Sequence, residues 1–344
     1  MKLTYTRPKP LLFLRENLRS AYAPRSVWAK HLPLWCRGFS SEQISLYELD
    51  SKPTHDYFPD FLKYRFTVRT NQGVWPILHD KLLFDSFMGS RLPISRLLGV
   101  SNRGEVMPIQ EGWTIADAVA GLQRGMEYVV KPLRGGGGGG LHFVSLEADS
   151  RVRINTGTIT LPEFPAWFAA QPHAGIYERI GQHRVLAALY PRTTNTLRVA
   201  MFRRKNLAPE LLAAFLRVGV KRSEPVDNTN LGGITVRVSD AGLTDAAYTR
   251  DARGVGTSIT HHPDTGASLL GLEIPYWSQV IELLTSFHDQ HPLFDYVGWD
   301  VAITPEGPLV FEGNHNPSLR GLQFYEPLKA RPSFREFCEE RGIL

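Results

Sequence analysis

Six consecutive glycines between two β-rich segments are the feature that most constrains how this chain folds. Glu127–Lys131 precedes the tract and Leu141–Val144 follows it, and both are rich in β-branched and aromatic residues. A glycine run is usually a flexible linker, but two β-rich segments this close along the chain are typical of a hairpin. We therefore expect a β-hairpin with these glycines at its tip: Gly135, Gly136, Gly137, Gly138, Gly139 and Gly140.

The glycine tip has the properties of a phosphate-binding loop. Without side chains in the way, several successive N–H groups can turn toward one anion. Lys131 ends the preceding strand and Arg134 opens the loop, so both add positive charge there. A dinucleotide-binding loop would need a helix directly after the glycines, and a Walker A loop would need a closing Gly-Lys-Ser/Thr. The sequence has neither, which indicates a phosphate cradle of another kind.

A second group of polar residues lies in the segment 298–314, which reads as two strands around a turn. A turn centred near Glu306 places Asp300 opposite Glu312, and the two-residue period of a strand puts Asn314 on the same face. Opposed carboxylates repel unless a cation lies between them. Carboxylate and carboxamide oxygens suit Mg²⁺, and the absence of nearby cysteine argues against zinc. We predict a magnesium site here; the alternative is a solvent-facing polar hairpin.

Elsewhere, the pattern predicts a chain of class α+β with mostly antiparallel pairing. A helical pattern over Lys81–Met88 ends at Gly89 and leads into an extended segment, Leu92–Ser95. The longest helical pattern is Ile274–Gln290. Further strands are expected at Gly175–Arg179, Thr196–Phe202, Leu212–Val218, Thr235–Val238, Trp299–Ile303 and Leu309–Glu312.

Residues 1–75 are expected to form an accessory lobe, with helices near Leu11–Ser20 and Ser41–Leu49 and proline-rich joints between them. This segment holds 12 Lys/Arg against 6 Asp/Glu, whereas the whole chain has a net charge of +5. This excess of basic residues indicates either a surface that binds an anionic partner or a basic surface that is merely solvated. Because no nucleic-acid motif accompanies it, we predict no specific nucleic-acid partner.

Composition narrows the class of protein further. With 344 residues, 42% hydrophobic and 21% charged, the chain can form two or three packed lobes. No stretch approaches the roughly 20 apolar residues of a membrane span, and the apolar run at Leu11 is too short for a signal sequence. Cys36 and Cys338 form neither a metal-binding spacing nor a disulfide framework. We expect a cytoplasmic protein.

Together these motifs resemble the ATP-grasp superfamily in their order and approximate spacing. The resemblance runs through Lys81, the Val-Val-Lys-Pro segment ending at Pro132, and Tyr177–Ile180. It extends to the sugar-transfer-associated branch through Asn195–Val199 and the Glu-Gly-Asn-His element at Glu312. It covers roughly residues 75–325 and leaves residues 1–75 outside.

The resemblance implies an ATP-grasp fold in which two antiparallel-sheet subdomains enclose ATP. On this basis the chain divides into an accessory lobe (1–75), a helix–strand region (76–125), a small subdomain with the glycine loop (126–180), a large subdomain with the metal site (181–330) and a C-terminal tail (331–344). ATP and Mg²⁺ are the implied cofactors. The residues expected to bind nucleotide include Lys81 and Lys131 at the phosphates, a hinge at the adenine edge and two residues near the ribose: Glu178, Arg179, Ile180, Gln182 and His183.

Arg198 is the candidate for transition-state stabilisation, together with Lys131. It lies in an apolar strand, where an unpaired guanidinium would be costly to bury, so it should face a cleft and an anion. An ordinary structural ion pair is the alternative. Other residues are expected to contact substrate: Asn195, Arg217, Asn230, His315 and Asn316.

The resemblance also implies a reaction, a carboxylate–amine ligase that passes through an acyl phosphate and releases ADP. The expected partners are small-molecule or peptide carboxylates and amines. Two alternatives remain open on the sequence. A kinase of the same fold would transfer phosphate to a hydroxyl group, and a regulatory module would bind nucleotide without turnover.

Overall fold

A computed structural model describes residues 10–20, 22–135, 139–250 and 256–344, apart from the side chains of Asn230 and Arg250. Helices dominate the first 88 residues and cover the sheets of the remainder. The helices are α1 (Pro10–Leu18), α2 (Trp28–Cys36), α3 (Ser41–Leu46), α4 (Lys63–Arg69), α5 (Trp75–His79), α6 (Lys81–Met88), α7 (Ile115–Gln123), α8 (Phe164–Ala169), α9 (Arg184–Ala187), α10 (Trp277–Gln290), α11 (Leu319–Leu322) and α12 (Pro332–Glu340).

Two seven-stranded antiparallel sheets form the body of the protein, which confirms the α+β class. The first sheet has the strand order β2-β1-β7-β3-β4-β5-β6, and the second has β12-β11-β10-β9-β8-β13-β14. The strands are β1 (Leu97–Asn102), β2 (Glu105–Pro108), β3 (Tyr128–Pro132), β4 (His142–Leu146), β5 (Arg151–Ile154), β6 (Gly157–Thr160), β7 (Ala174–Glu178), β8 (Thr196–Arg203), β9 (Pro209–Val218), β10 (Ile234–Val238), β11 (Thr244–Arg250), β12 (Gly256–Ile259), β13 (Tyr296–Thr304) and β14 (Gly307–Asn314).

The hairpin around the glycine tract is confirmed. β3 and β4 pair antiparallel, with Tyr128 opposite Val144. Val130 and Ile176 lie in the core below this sheet, where α7 covers it through Leu122 and α8 through Phe168. The sheet is thus fixed by apolar packing on one face, and its other face is available to the second sheet.

The β13–β14 hairpin pairs Asp300 with Glu312 around a turn at Pro305 and Glu306, as predicted. Thr304 pairs with Gly307 around a two-residue turn, and a β-bulge beside Asp300 then shifts the register by one residue. Without the bulge, Asp300 would face Phe311 instead. The bulge therefore brings the two carboxylates into register, a known use of bulges near functional sites.

Apolar residues cover both faces of the second sheet. On one face, α10 packs through Val280 and Leu284 against strand residues such as Val199 and Val301. On the other face, Phe58 and other aromatic residues of the accessory lobe join the end of the chain in one cluster with Phe66, Phe202, Tyr296, Phe334 and Phe337. The expected C-terminal tail is therefore the packed helix α12.

Gln323 fastens the accessory lobe to this cluster. Its amide oxygen accepts a hydrogen bond from the Phe58 N–H at 2.6 Å, and its amide nitrogen donates to the Phe58 carbonyl at 2.9 Å. The side chain of Gln323 is fully buried. The helices predicted in this lobe are present as α1 and α3, within two or three residues of the expected bounds.

Two details differ from the sequence-based expectation. The extended segment Leu92–Ser95 is not a strand; only Ile94 forms an isolated bridge, to Val310, and the strand proper begins at Leu97. The hairpin β5–β6 was not predicted, because its short strands are largely exposed and lack an apolar run. Within the described ranges, every helix is too short or too polar to span a bilayer.

Candidate functional site

A cleft with a cavity of about 250 Å³ lies between the two sheets and gathers most of the predicted site residues. Because strand residues alternate faces, each sheet presents every second side chain to it. The first sheet and its glycine tip contribute Val129, Lys131, Arg134, Gly135, Gly139, Phe143 and Tyr177, and the second contributes Thr196, Arg198, Arg217, Asp300, Phe311, Glu312 and Asn314.

Helix α6 holds Lys81 at the mouth of the glycine loop. Asp80 caps the helix by accepting hydrogen bonds from the N–H groups of its first turn, and its other oxygen binds Arg134 at 2.6 Å. The Lys81 N–H donates to the Leu133 carbonyl, and its Nζ donates to the Gly135 carbonyl at 3.1 Å. Lys81 and the start of the loop are thus one connected unit, with Arg134 paired on its outer side.

Lys131 is a half-buried positive charge that the first sheet contributes to the cleft. Its Nζ lies 4.1 Å from the centre of the Tyr177 ring and 5.8 Å from that of Phe311. Burial, followed by repulsion from Lys81, lowers the pKa of Lys131 from its ordinary 10.5 to about 8, although Glu312 and other carboxylates oppose the change. An ammonium group held this way gains strongly from an incoming anion.

Asp300 is almost completely buried, and its partners are two arginines on neighbouring strands. Arg198 lies directly opposite on β8 and binds both carboxylate oxygens, at 3.1 Å for the longer bond. Arg217 on β9 binds the same carboxylate at 3.0 Å. Burial would raise the pKa of Asp300, but the two guanidinium groups hold it below its usual range. The two arginines thus supply the positive charge that compensates the buried Asp300 carboxylate.

Arg217 also connects the cleft to the loop that follows β9. It donates to the Thr196 hydroxyl at 2.6 Å and lies 3.6 Å from Asp227. Asp227 in turn accepts hydrogen bonds from the Thr196 N–H and hydroxyl. Although burial lowers the pKa of Arg217, the carboxylates of Asp227 and Asp300 raise it above its ordinary value. Arg217 therefore stays charged.

Glu312 and Asn314 complete the predicted metal-binding set. The nearest cation to Glu312 is Lys81, whose Nζ lies 3.9 Å from Oε1. Asn314 donates its amide to the Gly298 carbonyl at 3.2 Å, which leaves its amide oxygen as a possible ligand. All three side chains offer hard oxygen donors to one cavity, which is the chemistry that Mg²⁺ requires. Within the described ranges, the cleft included, no group of three or more His, Cys, Asp or Glu side chains could hold a metal ion, so the predicted set depends on the Asn314 amide as its third ligand.

The segment after β7 crosses from the first sheet to the second. Glu178 pairs with Tyr128, the Arg179 N–H donates to the Glu127 carbonyl at 2.8 Å, and His183 donates to Ile303 of β13 at 2.7 Å. Glu178, Arg179 and Ile180 line the cleft, as expected for a hinge. The Arg179 amide is already paired, so it is not available to a ligand.

Three residues predicted to bind ligand make hydrogen bonds within the protein. Asn195 is fully buried, and its amide bonds to the carbonyls of Leu186 and Tyr190 and to the Gly219 N–H. Gln182 binds Asn195 and the carbonyls of two neighbouring residues. The ring of His183 caps α9 by accepting from the Val185 N–H. Gln182, His183 and Asn195 do not line the cleft, so the predicted contacts of Asn195 with substrate and of Gln182 or His183 with the ribose stay predictions.

His315 and Asn316 also lie outside the lining of the cleft, and their predicted substrate role stays a prediction. Asn316 donates to the Lys63 carbonyl and to the Thr67 hydroxyl of α4, away from the cleft. His315 packs against Trp75 and His79 of the helical layer. Both residues fasten the accessory lobe to the end of β14. Gly136, Gly137, Gly138 and the Asn230 side chain lie outside the described residues, so their predicted roles stay predictions.

Several residues that line the cleft were not predicted. Phe143 follows from the alternation along β4, since it pairs with Val129 on the cleft face. Phe311 and its neighbour Glu312 both line the cleft because the bulge interrupts the alternation of β14, and no sequence pattern predicts this bulge. Asp227 contacts Arg217 only through the tertiary fold, so no local pattern predicts its position.

Comparison with known proteins agrees with this architecture. The family described as "Sugar-transfer associated ATP-grasp" matches residues 62–337, which is most of the chain. The chain belongs to this ATP-grasp family. The match begins 13 residues before the resemblance recognised in the sequence and reaches into α12, so the family region includes part of the helical lobe. No curated protein shows a significant match to the sequence.

Solved structures of similar fold are distant from this family member. They include the ADP complex of PurK, an N5-carboxyaminoimidazole ribonucleotide synthetase, at 13% identity and a TM-score of 0.42, covering 76% of this chain and 55% of that one. D-alanyl-alanine synthetase A from Vibrio cholerae has 12% identity and a TM-score of 0.40, covering 77% and 60%. D-alanine–D-alanine ligase from Bacillus anthracis has 14% and 0.38, covering 77% and 70%. The chain thus spans little more than half the length of the first two.

Proposed function

We propose that this protein is an ATP- and magnesium-dependent ligase that joins a carboxylate to an amine through an acyl phosphate. The observation that carries the proposal is the convergence of two kinds of group in one cleft. Lysines and a glycine loop approach from one sheet, and the oxygen donors Asp300, Glu312 and Asn314 approach from the other. Phosphoryl transfer requires little more than such positioning and electrostatic stabilisation.

The phosphate end of the nucleotide is assigned to the α6–glycine unit and Lys131. Lys81 exchanges its contact with the Gly135 carbonyl for a phosphate oxygen, and the loop amides supply further donors. Lys131 gains an anion that offsets the cost of its burial. The adenine is assigned to the other end of the cleft, between Val129, Phe143 and the Glu178–Ile180 hinge, where the lining is more apolar.

The proposed metal ligands are the carboxylates of Asp300 and Glu312 and the amide oxygen of Asn314. Mg²⁺ bound there would neutralise the charge that develops on the transferred phosphoryl group. Asp300 can serve as a metal ligand only if its two arginine partners rearrange, because Arg198 binds both of its carboxylate oxygens. Arg198 would then be free to hold the substrate carboxylate, and later the oxyanion of the tetrahedral intermediate.

The reaction proceeds in two steps. A carboxylate oxygen of the substrate attacks the γ-phosphorus, the bond from phosphorus to the bridging oxygen breaks, and ADP leaves. The amine nitrogen then attacks the acyl phosphate carbon, loses a proton, and expels inorganic phosphate to leave an amide. Arg198 and Arg217 stand on adjacent strands beside Asp300, so both guanidinium groups are near the reacting atoms.

The decisive experiment is a screen of carboxylates and amines in pairs, measuring ADP and inorganic phosphate separately. A ligase releases both in equal amounts, and only when both substrates are present. ADP without free phosphate, with the phosphate found on an acceptor hydroxyl, would indicate a kinase instead. If nucleotide protects against thermal unfolding but no pair stimulates ADP release, the ligase proposal is wrong.

Glu312→Gln is the cleaner variant for testing the metal assignment. Glu312 is partly exposed and keeps its shape as glutamine, so the fold should survive while ADP release falls by at least about a hundredfold, as expected for a lost electrostatic contact. The Asp300→Ala variant separates metal binding from stability less well. It removes the acidic partner of Arg198 and one partner of Arg217, and breaking a buried ion pair costs about 3–5 kcal/mol of stability. Glu306→Gln, on the turn of the same hairpin, is the matched control. Full turnover in Glu312→Gln would remove Glu312 from the metal site.

A further inference from the structure

Positive charge is concentrated at the start of the chain, far beyond what the rest of the sequence shows. Residues 1–37 contain eight Lys or Arg and a single acidic residue, Glu16, whereas the whole chain has a net charge of only +5. The remaining residues therefore carry a small negative excess. Nothing in the nucleotide cleft uses these charges, because the basic residues that line it all lie beyond residue 80.

Part of this charge is exposed on α1 and on the residues that directly follow α1 and α2. The inward faces of the two helices meet in one apolar cluster, to which α1 contributes Leu14 and Leu18 and α2 contributes Trp35. On the opposite side of α1, Arg15 and Arg19 are exposed. Because residues three and four apart share a helix face, these two arginines form one stripe.

Large apolar side chains are exposed on both helices. Leu11 is 84% exposed and Leu12 41% exposed in the first turn of α1, and Leu32 is 47% exposed on α2. Leu11 and Arg15 are four residues apart, so the leucines continue the arginine stripe. Arg37, just after α2, is exposed as well. We name this surface the α1–α2 face and define it by Leu11, Leu12, Leu32, Arg15, Arg19 and Arg37.

The arginines of this face are free of acidic partners in the described part of the chain. The ion pairs of the lobe involve other residues, such as Lys30 with Asp50 and Lys52 with Glu48. Charges that are not needed within the protein are available to an external anion. The exposed leucines narrow the choice of partner, because phosphate groups alone gain nothing from contact with apolar side chains, whereas a bilayer interface offers anionic head groups and acyl chains together.

We propose that the α1–α2 face binds the surface of a bilayer containing anionic phospholipids. The arginines contact the head groups, and Leu11, Leu12 and Leu32 enter the boundary of the acyl region. Binding of this kind is peripheral and reversible. It concerns where the protein works rather than what it catalyses, so it stands or falls independently of the proposed ligase reaction.

Co-sedimentation of the full chain with lipid vesicles tests this directly. Vesicles of phosphatidylcholine alone are compared with vesicles in which about one third is phosphatidylglycerol or phosphatidylserine. We expect binding to the anionic vesicles only, weakening as salt is raised from about 0.05 M to 0.5 M because the Debye length shortens. Equal binding to both kinds of vesicle, or none to either, would overturn the proposal.

Two variants separate the contributions of charge and apolar contact. Replacing Arg15, Arg19 and Arg37 together by Gln should lower the partition coefficient roughly a hundredfold, since each basic residue near an anionic surface contributes roughly fivefold. Leu11→Ser with Leu12→Ser should lower it by about tenfold or more. Because all of these side chains are exposed, the melting temperature should stay unchanged in both.

The matched control replaces three exposed basic residues far from this face, Arg103, Arg124 and Lys205, by Gln. It changes the net charge equally, so it should leave vesicle binding as it is. An equal loss in the control would mean that net charge alone drives the binding, and the proposed face would be wrong. Binding to a single-stranded DNA oligonucleotide but not to anionic vesicles would assign the same charges to nucleic acid, and would also overturn the proposal.

Discussion

From the low pKa of Lys131 we predict that nucleotide binding is measurably coupled to protonation of the Lys131 amine. In the free protein its pKa is about 8, because burial and the neighbouring Lys81 oppose its charge. At pH 8.5 roughly three quarters of the molecules therefore hold a neutral Lys131, against about one tenth at pH 7. A triphosphate in the cleft favours the ammonium form and returns the pKa toward its ordinary value. Binding at pH 8.5 should then take up about 0.7 proton, and above pH 8 the affinity should fall as pH rises.

Isothermal titration calorimetry can measure this uptake. The full chain is titrated with magnesium and a non-hydrolysable ATP analogue in several buffers of different ionisation enthalpy, at pH 7 and at pH 8.5. The slope of the observed enthalpy against the buffer ionisation enthalpy gives the number of protons taken up. Lys131→Arg keeps the positive charge but does not titrate in this range, so it should bind nucleotide with almost no proton uptake at either pH.

Two results would refute the reasoning. If the wild-type protein takes up no proton at pH 8.5, Lys131 is already fully charged in the free cleft or does not meet the phosphates. If Lys131→Arg takes up as many protons as the wild type, another group is responsible for the uptake. Lys81→Arg serves as a second comparison, because it preserves the neighbouring charge and should leave the uptake largely intact.

Two further predictions concern stability. Asn195→Ala should lower the free energy of unfolding by about 1–3 kcal/mol, because buried carbonyl and N–H groups lose their partner; urea denaturation measures this, with exposed Gln123→Ala as control, and a loss of nucleotide affinity at unchanged stability would contradict the structural role. Phe334→Ala should cost about 3–5 kcal/mol by opening a cavity between α12 and the second sheet, whereas exposed Glu339→Ala should be neutral. An equally stable Phe334→Ala protein would show that α12 is not part of the core.

The parts of the site that sequence could predict are those fixed by local geometry. The bounds of α6 were predicted to the residue, because Asp80 is a good helix cap and Gly89 ends the apolar pattern. The hairpin β13–β14 was recognised from its alternation, and Asp300 was correctly placed opposite Glu312. In each case a short segment carries the whole signal.

The rest of the site could not be predicted, because it depends on contacts between segments that are distant in the sequence. Asn195, Gln182 and Asn316 have the same donors and acceptors whether they face a ligand or satisfy buried backbone groups, so their chemistry alone could not decide between these roles. For Arg198, too, the sequence indicated the kind of partner but not which residue it is. Its strand position correctly indicated an anion, but that anion is Asp300 in this structure, and the sequence did not reveal that both belong to one cross-strand pair.

The way Phe58 is held by Gln323 has a practical consequence for anyone who works with a piece of this protein. Family similarity starts at residue 62, four residues beyond Phe58. A fragment cut at that point would leave the Gln323 amide without its two backbone partners and would open the aromatic cluster to water. The limit of sequence similarity therefore falls inside a folding unit, and an expressed domain should begin upstream of α1.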